Sequence, residues 1–351
     1  MRAKQFSHLA VLVILIVISA CDNVSFEGVQ LEIRPPAAPP GAPSPDTATE
    51  VVEEAPLLPV ELGPLVYLVE QTDGSAATIL PVAELWEEGY RPIPDSEEIP
   101  DLVERFALGR WEEGMEFSLL GDGGRVGTFI ASGSTESDDS TCRMRPRGSG
   151  IVEVSPGAAG TRQFLALPEG NGRTSADSPE RVRALAPRSH GTNAEIAAAA
   201  LNVAQRLIPA LDIPWPASIP GFREDLQAFG FTAESGIRSA IAASHVFGGR
   251  LGTGTPSPNG YSFFFLAVEG EDRYEPVVSW YQRAESGKAA ARLLGTHALR
   301  GTAPPDALLE VFGVSERWLA ILGPDEDGEW TTQYQDACGE DPARGAIQSY
   351  P

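Results

Sequence analysis

The chain has 351 residues, of which 42% are hydrophobic, and this is enough apolar material for one large domain or two ordinary ones. Its net charge is −23 at pH 7, because 49 acidic residues outnumber 26 basic ones. Such an acidic composition argues against nucleic acid as a partner and against a body that lies flat on anionic lipid.

The first twenty residues have the parts of a cleavable export signal in the expected order. Arg2 and Lys4 give a positively charged start, and an unbroken apolar run follows from Leu9 to Ile18. This run is too short to cross roughly 30 Å of hydrocarbon as a helix, which takes about 20 residues. The pattern therefore predicts a signal peptide over residues 1–20.

The segment Ile18-Ser19-Ala20-Cys21 resembles the lipobox of bacterial lipoproteins, an aliphatic residue and two small residues before a cysteine. The resemblance covers residues 1–21 only. It implies that the Cys21 thiol receives a diacylglyceryl group and becomes the new N-terminus, so that the protein is exported and anchored to a bacterial membrane. Asp22 leaves the choice between the inner and the outer membrane open. The alternative is an ordinary signal peptide, with Cys21 in a disulfide.

Residues 21–63 are predicted to form a disordered tether that follows the lipidated cysteine. Eight prolines fall between Asp22 and Gly63, with Ala, Thr and Glu between them, and such a stretch cannot bury enough apolar surface to fold. Pro-rich chain extends by about 3.1 Å per residue, so roughly 25 extended residues would reach ~80 Å from the bilayer.

Residues 64–351 are predicted to be a globular, β-rich region of the α+β class, with mainly antiparallel sheet and about two packed helices. Its first part is predicted to contain a hairpin around Asp73-Gly74, a helix, a second hairpin around Gly121–Gly124 and two more strands. The predicted segments are Leu65–Val69, Thr78–Val82, Ile99–Phe106, Phe117–Leu120, Val126–Ala131, Ile151–Val154 and Gln163–Leu167.

A polar stretch, residues 169–191, is predicted to be a loop, and the clearest helix of the chain follows it. Thr192-Asn193-Ala194-Glu195 is a capping box, a broad alanine-rich apolar stripe follows, and Pro209 is expected to end the helix. We expect this helix to pack closely on a sheet.

The last hundred residues are predicted to form an antiparallel meander. Its expected strands are Tyr261–Val268, Pro276–Gln282, Ala291–Leu299, Trp318–Leu322 and Glu329–Gln335. The periodicity of Leu308–Phe312 does not decide between helix and strand. Two subdomains, 64–168 and 192–351, are candidates within the globular region.

Two cysteines, Cys142 and Cys338, remain after lipidation of Cys21. In an oxidising compartment we expect them to form a disulfide that joins the two halves of the globular region, and two free buried thiols are the alternative. There is no CxxC motif or Cys/His cluster, so no metal site is expected.

No catalytic residue can be assigned from the sequence. Ser189-His190 and Ser244-His245 are adjacent pairs, but neighbouring side chains on a strand face opposite ways, and there is no GxSxG motif. His297, like His245, reads as an ordinary structural residue on a strand. Catalytic use of a serine would need a base within about 3 Å and a third group that orients it.

Glycine runs and acidic clusters are interpreted as turns. Gly121–Gly127 lies between two strands, and Gly248–Gly254 lies between a strand and a polar loop, so neither is followed by the helix that a phosphate loop requires. Two acidic clusters are expected to be solvated hairpin tips without Ca²⁺, and no cofactor is expected. The clusters are Glu136, Asp138 and Asp139, and Asp325, Glu326, Asp327 and Glu329.

Eight aromatic residues fall in the predicted meander, where they are expected to make core, with an exposed binding face as the alternative. They are Phe263, Phe264, Phe265, Trp280, Tyr281, Trp318, Trp330 and Tyr334. The leading hypothesis is a lipid-anchored envelope protein that acts as a non-enzymatic binding or structural module, with a ligand or another envelope protein as its partner. The alternative is an envelope hydrolase whose site is assembled from scattered residues.

Overall fold

The computed structural model describes residues 57–86, 89–95, 98–121, 124–169, 193–215, 223–233, 236–300, 305–338 and 346–349. The segment from Pro56 to Pro351 forms one compact unit. Three antiparallel sheets and two α-helices make up the described part of the chain, so the predicted α+β class with mainly antiparallel sheet is confirmed.

The helices are α1 (Leu102–Ala107) and α2 (Asn193–Ala210). In chain order the strands are β1 (Leu65–Asp73), β2 (Ala76–Trp86), β3 (Gly89–Arg91), β4 (Glu116–Gly121), β5 (Gly124–Asp138), β6 (Arg145–Val154), β7 (Gln163–Pro168), β8 (Arg223–Ala233), β9 (Gly236–Phe247), β10 (Tyr261–Glu269), β11 (Tyr274–Arg283), β12 (Ala290–His297), β13 (Asp306–Phe312), β14 (Arg317–Pro324), β15 (Trp330–Gln335) and β16 (Ala346–Ser349).

The first seven strands form a sheet that closes on itself. Its order is β1-β7-β4-β5-β6-β2-β3, and β1 also pairs with β2, so six strands make a closed ring. Aromatic side chains fill the ring: Tyr67 and Phe117 meet at 5.1 Å between ring centroids, and Phe117 and Phe129 meet at 5.8 Å. Phe106 of α1 and Trp111 belong to the same core. We call this element the closed sheet.

The outer side of the closed sheet packs against a four-stranded sheet with the order β12-β13-β14-β15. Leu68 and Leu80 of the closed sheet share a buried cluster with Leu308, Ile321 and Tyr334 of the four-stranded sheet. Fully burying a leucine side chain stabilises a fold by about 1.5–3 kcal/mol, so this contact joins the two sheets firmly.

The opposite face of the four-stranded sheet packs against a five-stranded sheet with the order β16-β11-β10-β9-β8. Leu309 and Leu322 lie in one buried cluster with Phe264, Leu266 and Trp280. The layers therefore follow one another as closed sheet, four-stranded sheet and five-stranded sheet.

Helix α2 covers the remaining face of the five-stranded sheet. Val203 and Leu207 of the predicted apolar stripe are buried against Ile241, Phe263 and Phe265. The expectation that this helix packs closely on a sheet is confirmed. The helix runs one residue beyond Pro209, to Ala210, and the Leu211 N–H still donates to the Leu207 carbonyl at 2.9 Å.

The layered arrangement explains why the sequences of the central strands are continuous apolar runs. Strands β10 and β13 are buried along almost their whole length, since one face of each meets one layer and the other face meets the next. The prediction of a single C-terminal meander was wrong in this respect. Strands β10 and β11 belong to one sheet, and β12 to β15 form another.

Several boundaries differ from those predicted. Leu308–Phe312, left undecided from its periodicity, is part of strand β13. Strand β8 was not predicted, and its partner β9 was indicated only near its end. Helix α1 begins at Leu102 rather than near Ile99, and the preceding Asp101 has a left-handed backbone with φ 56°.

The last residues of the predicted tether lie against the closed sheet. Val60 is buried in the core of that sheet, and the Arg105 side chain donates a hydrogen bond to the Leu58 carbonyl at 2.9 Å. Arg110 likewise donates to the carbonyls of Leu62 and Gly63. The ordered body therefore begins before Pro64. The signal peptide over 1–20, Cys21 and the tether up to residue 56 lie outside the described residues.

Candidate functional site

The two cysteines expected to pair lie at disulfide distance. The Cα atoms of Cys142 and Cys338 are 5.4 Å apart, across 196 residues of sequence, which is within the range that a disulfide bridges. The backbone N–H of Cys142 donates to the carbonyl of Arg317 at 2.8 Å. The bridge and this hydrogen bond attach the segment after β5 to the four-stranded sheet.

A buried ion pair lies close to the disulfide in sequence. Arg145 pairs with Asp336, and both side chains are almost fully excluded from solvent. Asp336 also accepts hydrogen bonds from the Tyr334 hydroxyl at 2.6 Å and from the Leu319 N–H at 2.8 Å. Burial by itself lowers the pKa of Arg145, but the contacts with Asp336 and Tyr334 raise it above its ordinary value. The guanidinium is therefore charged in the core.

A concave site of about 570 Å³ opens beside the disulfide, and we call it the disulfide pocket. Three chain segments surround it: Asp139–Cys142 after β5, Arg250–Thr253 after β9, and Phe312–Arg317 at the turn from β13 to β14. This volume falls within the roughly 300–1,000 Å³ of typical small-molecule sites. Its walls carry hydroxyl, carboxylate and guanidinium groups together with the apolar side chains Leu251 and Phe312.

The loop Arg250–Gly254 is fixed by a buried lysine. Lys288 is 5% exposed, and its ammonium donates to the carbonyl oxygens of Arg250 at 3.0 Å and Gly254 at 3.3 Å, and also to that of Gly252. Burial and the nearby Arg250 cation lower the pKa of Lys288. Gly252 and Gly254 have φ values of 145° and 129°, which side chains of L residues disfavour. Lys288 thus holds three carbonyls of this loop together.

The same loop is attached to the facing wall of the pocket. The Gly254 N–H donates to the carbonyl of Val314 at 2.7 Å, within the β13–β14 turn. Across the pocket, the Arg317 guanidinium donates to the Ser140 carbonyl at 2.7 Å and to the Ser140 hydroxyl at 2.7 Å. All three segments are therefore joined by direct hydrogen bonds.

A network of charges lies behind the pocket, where the closed sheet meets the four-stranded sheet. Glu310 is 1% exposed and pairs with both Arg292 and Arg317. Arg292 also donates to the Gln163 amide oxygen at 2.9 Å, and Arg317 lies 3.5 Å from a Glu70 carboxylate oxygen. The charge of Arg317 is therefore already matched by carboxylates of the protein itself.

The histidines on strands do not lie beside the serines next to them in sequence. The Ser244 hydroxyl donates to the Ala291 carbonyl of the four-stranded sheet, whereas the His245 ring packs beside Phe263 and Phe265, at about 6 Å from each, under α2. Burial lowers the pKa of His245 to about 4. The expectation that the side chains of Ser244 and His245 face opposite ways is confirmed. His297 ends β12 opposite Asp306, and Ser189-His190 lies outside the described residues.

The acidic clusters have structural roles at turns. The Asp325 carboxylate accepts the N–H groups of Asp327 at 3.0 Å and Glu329 at 2.9 Å, and so closes the β14–β15 turn. In the other cluster, the buried Asp138 pairs with Arg147 and accepts the Ser140 N–H at 2.6 Å. The expectation of a hairpin tip is confirmed for the 325–329 cluster. Asp138 is not solvated, because it supports the segment that lines the pocket.

The aromatic set of the predicted meander is core, as expected. Seven of its eight members are buried: Phe263, Phe264, Phe265, Trp280, Trp318, Trp330 and Tyr334. The remaining member, Tyr281, is half-buried beside α2. Because these side chains are buried, the structure does not support the alternative of an exposed aromatic binding face.

A second cavity, of about 720 Å³, lies between α2 and the β10–β11 turn. It is crossed at one side by Arg206, which pairs with Glu275 at 2.8 Å and donates to the Tyr274 carbonyl. Its lining carries carboxylate, amide and guanidinium groups of α2 and of the β10–β11 turn, with few apolar side chains. It lacks the disulfide and the buried lysine that fix the walls of the disulfide pocket.

No family model, curated protein or solved structure matches this chain. Within the described ranges, no helix has the length and hydropathy to cross a bilayer. The site must therefore be judged from its own geometry.

One group of possible metal ligands occurs among the described residues, and it lies at the disulfide pocket. The sulfurs of Cys142 and Cys338 and a carboxylate oxygen of Glu316 lie within 4.8 Å of one another. The two sulfurs are bonded to each other, whereas the species that binds a metal is the thiolate. In the oxidised protein this group is therefore part of the pocket wall.

The sequence indicates the paired cysteines but not the pocket beside them. Arg250, Thr253 and Glu316 come from distant parts of the chain and belong to no motif. A usable signal was present in Lys288, since it is the only lysine after Lys4. A single lysine in a chain that otherwise uses arginine indicates a position where a compact ammonium is needed.

Proposed function

We propose that this protein is an exported, lipid-anchored module that binds a ligand without transforming it, and that the disulfide pocket is its binding site. The observation that carries the proposal is the construction of that pocket. Three distant segments are held in place around it by a disulfide, a buried lysine and direct hydrogen bonds. Such preorganisation lowers the entropic cost of binding.

Three buried polar groups with catalytic potential are used for structure. Glu310 lies between two arginines, Asp336 pairs with Arg145, and His245 packs beside two phenylalanine rings. A hydrolase would need a nucleophile, a base and an orienting group within hydrogen-bond reach of one another. Because these buried groups are engaged with other protein groups, we favour binding over catalysis. The hydrolase is the alternative that the experiment below tests.

The anchor half of the proposal rests on the sequence. The signal pattern ends in Ile18-Ser19-Ala20-Cys21, and the Pro-rich segment after it would hold the body away from the bilayer. The net charge of −23 also favours a body that stays away from the bilayer, because an acidic body is repelled by anionic lipid. A tethered body of this kind suits a protein that captures ligands in the envelope.

Three measurements test this proposal, two on cells that express the full chain and one on the purified protein. The protein should be recovered with membranes, and Cys21→Ser should remove fatty-acid labelling and release the protein. The purified protein should leave generic ester, glycoside and phosphate substrates unchanged. Turnover of any substrate that falls when Glu316 or Arg250 is replaced would support the hydrolase instead. Membrane recovery and labelling that persist in Cys21→Ser would refute the anchor.

A further inference from the structure

The charges around the disulfide pocket nearly cancel, which bears on the ligand that it accepts. Arg317 is already matched by Glu310 and Glu70, so Arg250 is the guanidinium left to meet a ligand. Asp139 and Glu316 are exposed carboxylates at the same rim. An anion would face two carboxylates and the acidic field of the whole protein, whereas the two carboxylates that would attract a cation are offset by Arg250 and by the ammonium of Lys288 behind the loop.

The remaining groups of the wall are suited to hydroxyl-bearing ligands. Thr253 and Ser315 contribute hydroxyls, each of which can donate and accept. The two carboxylates accept, and Arg250 donates. A ligand hydroxyl can pair with each of these groups, because it also donates and accepts. Leu251 and Phe312 add apolar surface for the C–H groups of such a ligand.

The loop that carries Arg250 and Thr253 is held by hydrogen bonds within the protein itself. The Arg250 Nε–H donates to the Thr253 carbonyl at 3.1 Å, and Lys288 holds the carbonyls of the loop from beneath. Gly252 and Gly254 allow the backbone to take this shape. Fixed donors and acceptors favour a ligand with many hydroxyls at set spacings.

We infer that the disulfide pocket binds a neutral saccharide, through Arg250, Thr253, Asp139 and Glu316. This inference rests on the proposed binding function. Lys288 acts as a positioning residue, since it holds the loop and does not line the pocket. The ligand class follows from balanced charge, mixed donors and acceptors, and a preformed cavity of about 570 Å³.

The test is an array that carries neutral oligosaccharides of glucose, mannose, galactose and N-acetylglucosamine, with matched uronic-acid and amino-sugar versions. A second array carries short peptides. The probe is the mature protein extracted from membranes in a zwitterionic detergent, because glycoside detergents would compete. We expect retention on neutral saccharide spots and weaker retention on their charged versions.

Two pocket variants and one matched control locate the binding. Thr253→Val removes one partner of a ligand hydroxyl, Glu316→Gln replaces a charged acceptor by a neutral amide, and each should weaken retention by about tenfold. Glu329→Gln makes the same chemical change at the exposed turn on the other end of β14, and retention should change less than about twofold. Lys288→Met should weaken retention and speed hydrogen exchange at residues 250–254, whereas a structural role elsewhere would leave that exchange unchanged.

Each contrary outcome has a distinct meaning. Retention on no saccharide, or saccharide retention that neither pocket variant weakens, overturns the inference. Retention on peptides alone, with sensitivity to Thr253→Val and Glu316→Gln, overturns the ligand class but leaves the proposed binding function standing. Cleavage of a retained saccharide overturns the proposed function and keeps the ligand class.

Discussion

The buried pair of Arg145 and Asp336 allows the most quantitative prediction. Asp336→Asn keeps the size of the side chain and removes its charge. Arg145→Met removes the partner and keeps much of its apolar stem. The double variant removes both charges at once. Each single change leaves one charge in the core without its counterion.

The magnitude follows from the burial of both groups. Breaking a buried pair by removing one partner costs about 3–5 kcal/mol, since the remaining charge stays desolvated. Solvent screening does not reduce this value, because the two side chains are 3% and 0% exposed. Replacing both charged groups by neutral ones leaves no uncompensated charge. We therefore expect the double variant to lose at least about 3 kcal/mol less than the sum of the two single losses.

Equilibrium unfolding in urea, followed by tryptophan fluorescence, measures these free energies in the soluble Cys21→Ser chain. All forms are compared at pH 7 with the disulfide intact. A loss below about 1 kcal/mol for both single variants would refute the reasoning, because that is the range of solvent-exposed ion pairs. Additive losses would also refute it, since they would mean that the two charges do not interact.

Two further predictions concern the disulfide and His245. Cys142→Ser with Cys338→Ser should reduce the free energy of unfolding by as much as about 5 kcal/mol, because the bridge closes a loop of 196 residues, and a loss below about 1 kcal/mol in the same urea assay would contradict this. The pKa of His245 is lowered to about 4, so between about pH 6.5 and pH 4 the unfolded chain binds a proton that the folded protein does not. The stability contributed by this residue is complete above about pH 6.5 and falls by roughly 3 kcal/mol as the pH approaches 4. His245→Phe should make the free energy of unfolding depend less on pH between about pH 4 and pH 6.5. An unchanged pH dependence would show that the folded protein already binds the proton.

Local patterns were enough to predict much of the fold. The hairpin at Asp73-Gly74 has a turn signal between apolar segments, and α2 has both a start signal and an apolar stripe. Strand β9 was recognised only near its end because Ala240, Ala242 and Ala243 favour helix over strand in isolation. Its alanines are buried between layers, and this packing decides the conformation.

The order of the sheets could not be predicted, because it depends on contacts between distant strands. Strand β10 is apolar on both faces, which indicates that it is buried but not which layers cover it. The pairing of β1 with β2 closes the first sheet, and it likewise cannot be predicted from the residue pattern of either strand alone. The disulfide pocket shares this origin, since its walls come from three segments that only the assembled layers bring together.

The most direct test of the account is a mass spectrum of the protein extracted from membranes, without reduction and after cleavage at glutamate. This digestion yields peptides 21–27, 137–153 and 330–340, which contain the three cysteines. The account predicts an N-terminal peptide that starts at Cys21 and carries a diacylglyceryl group, and the other two peptides joined through Cys142 and Cys338. A chain that still starts at Met1, or an unmodified Cys21 together with two separate thiol peptides, would contradict it.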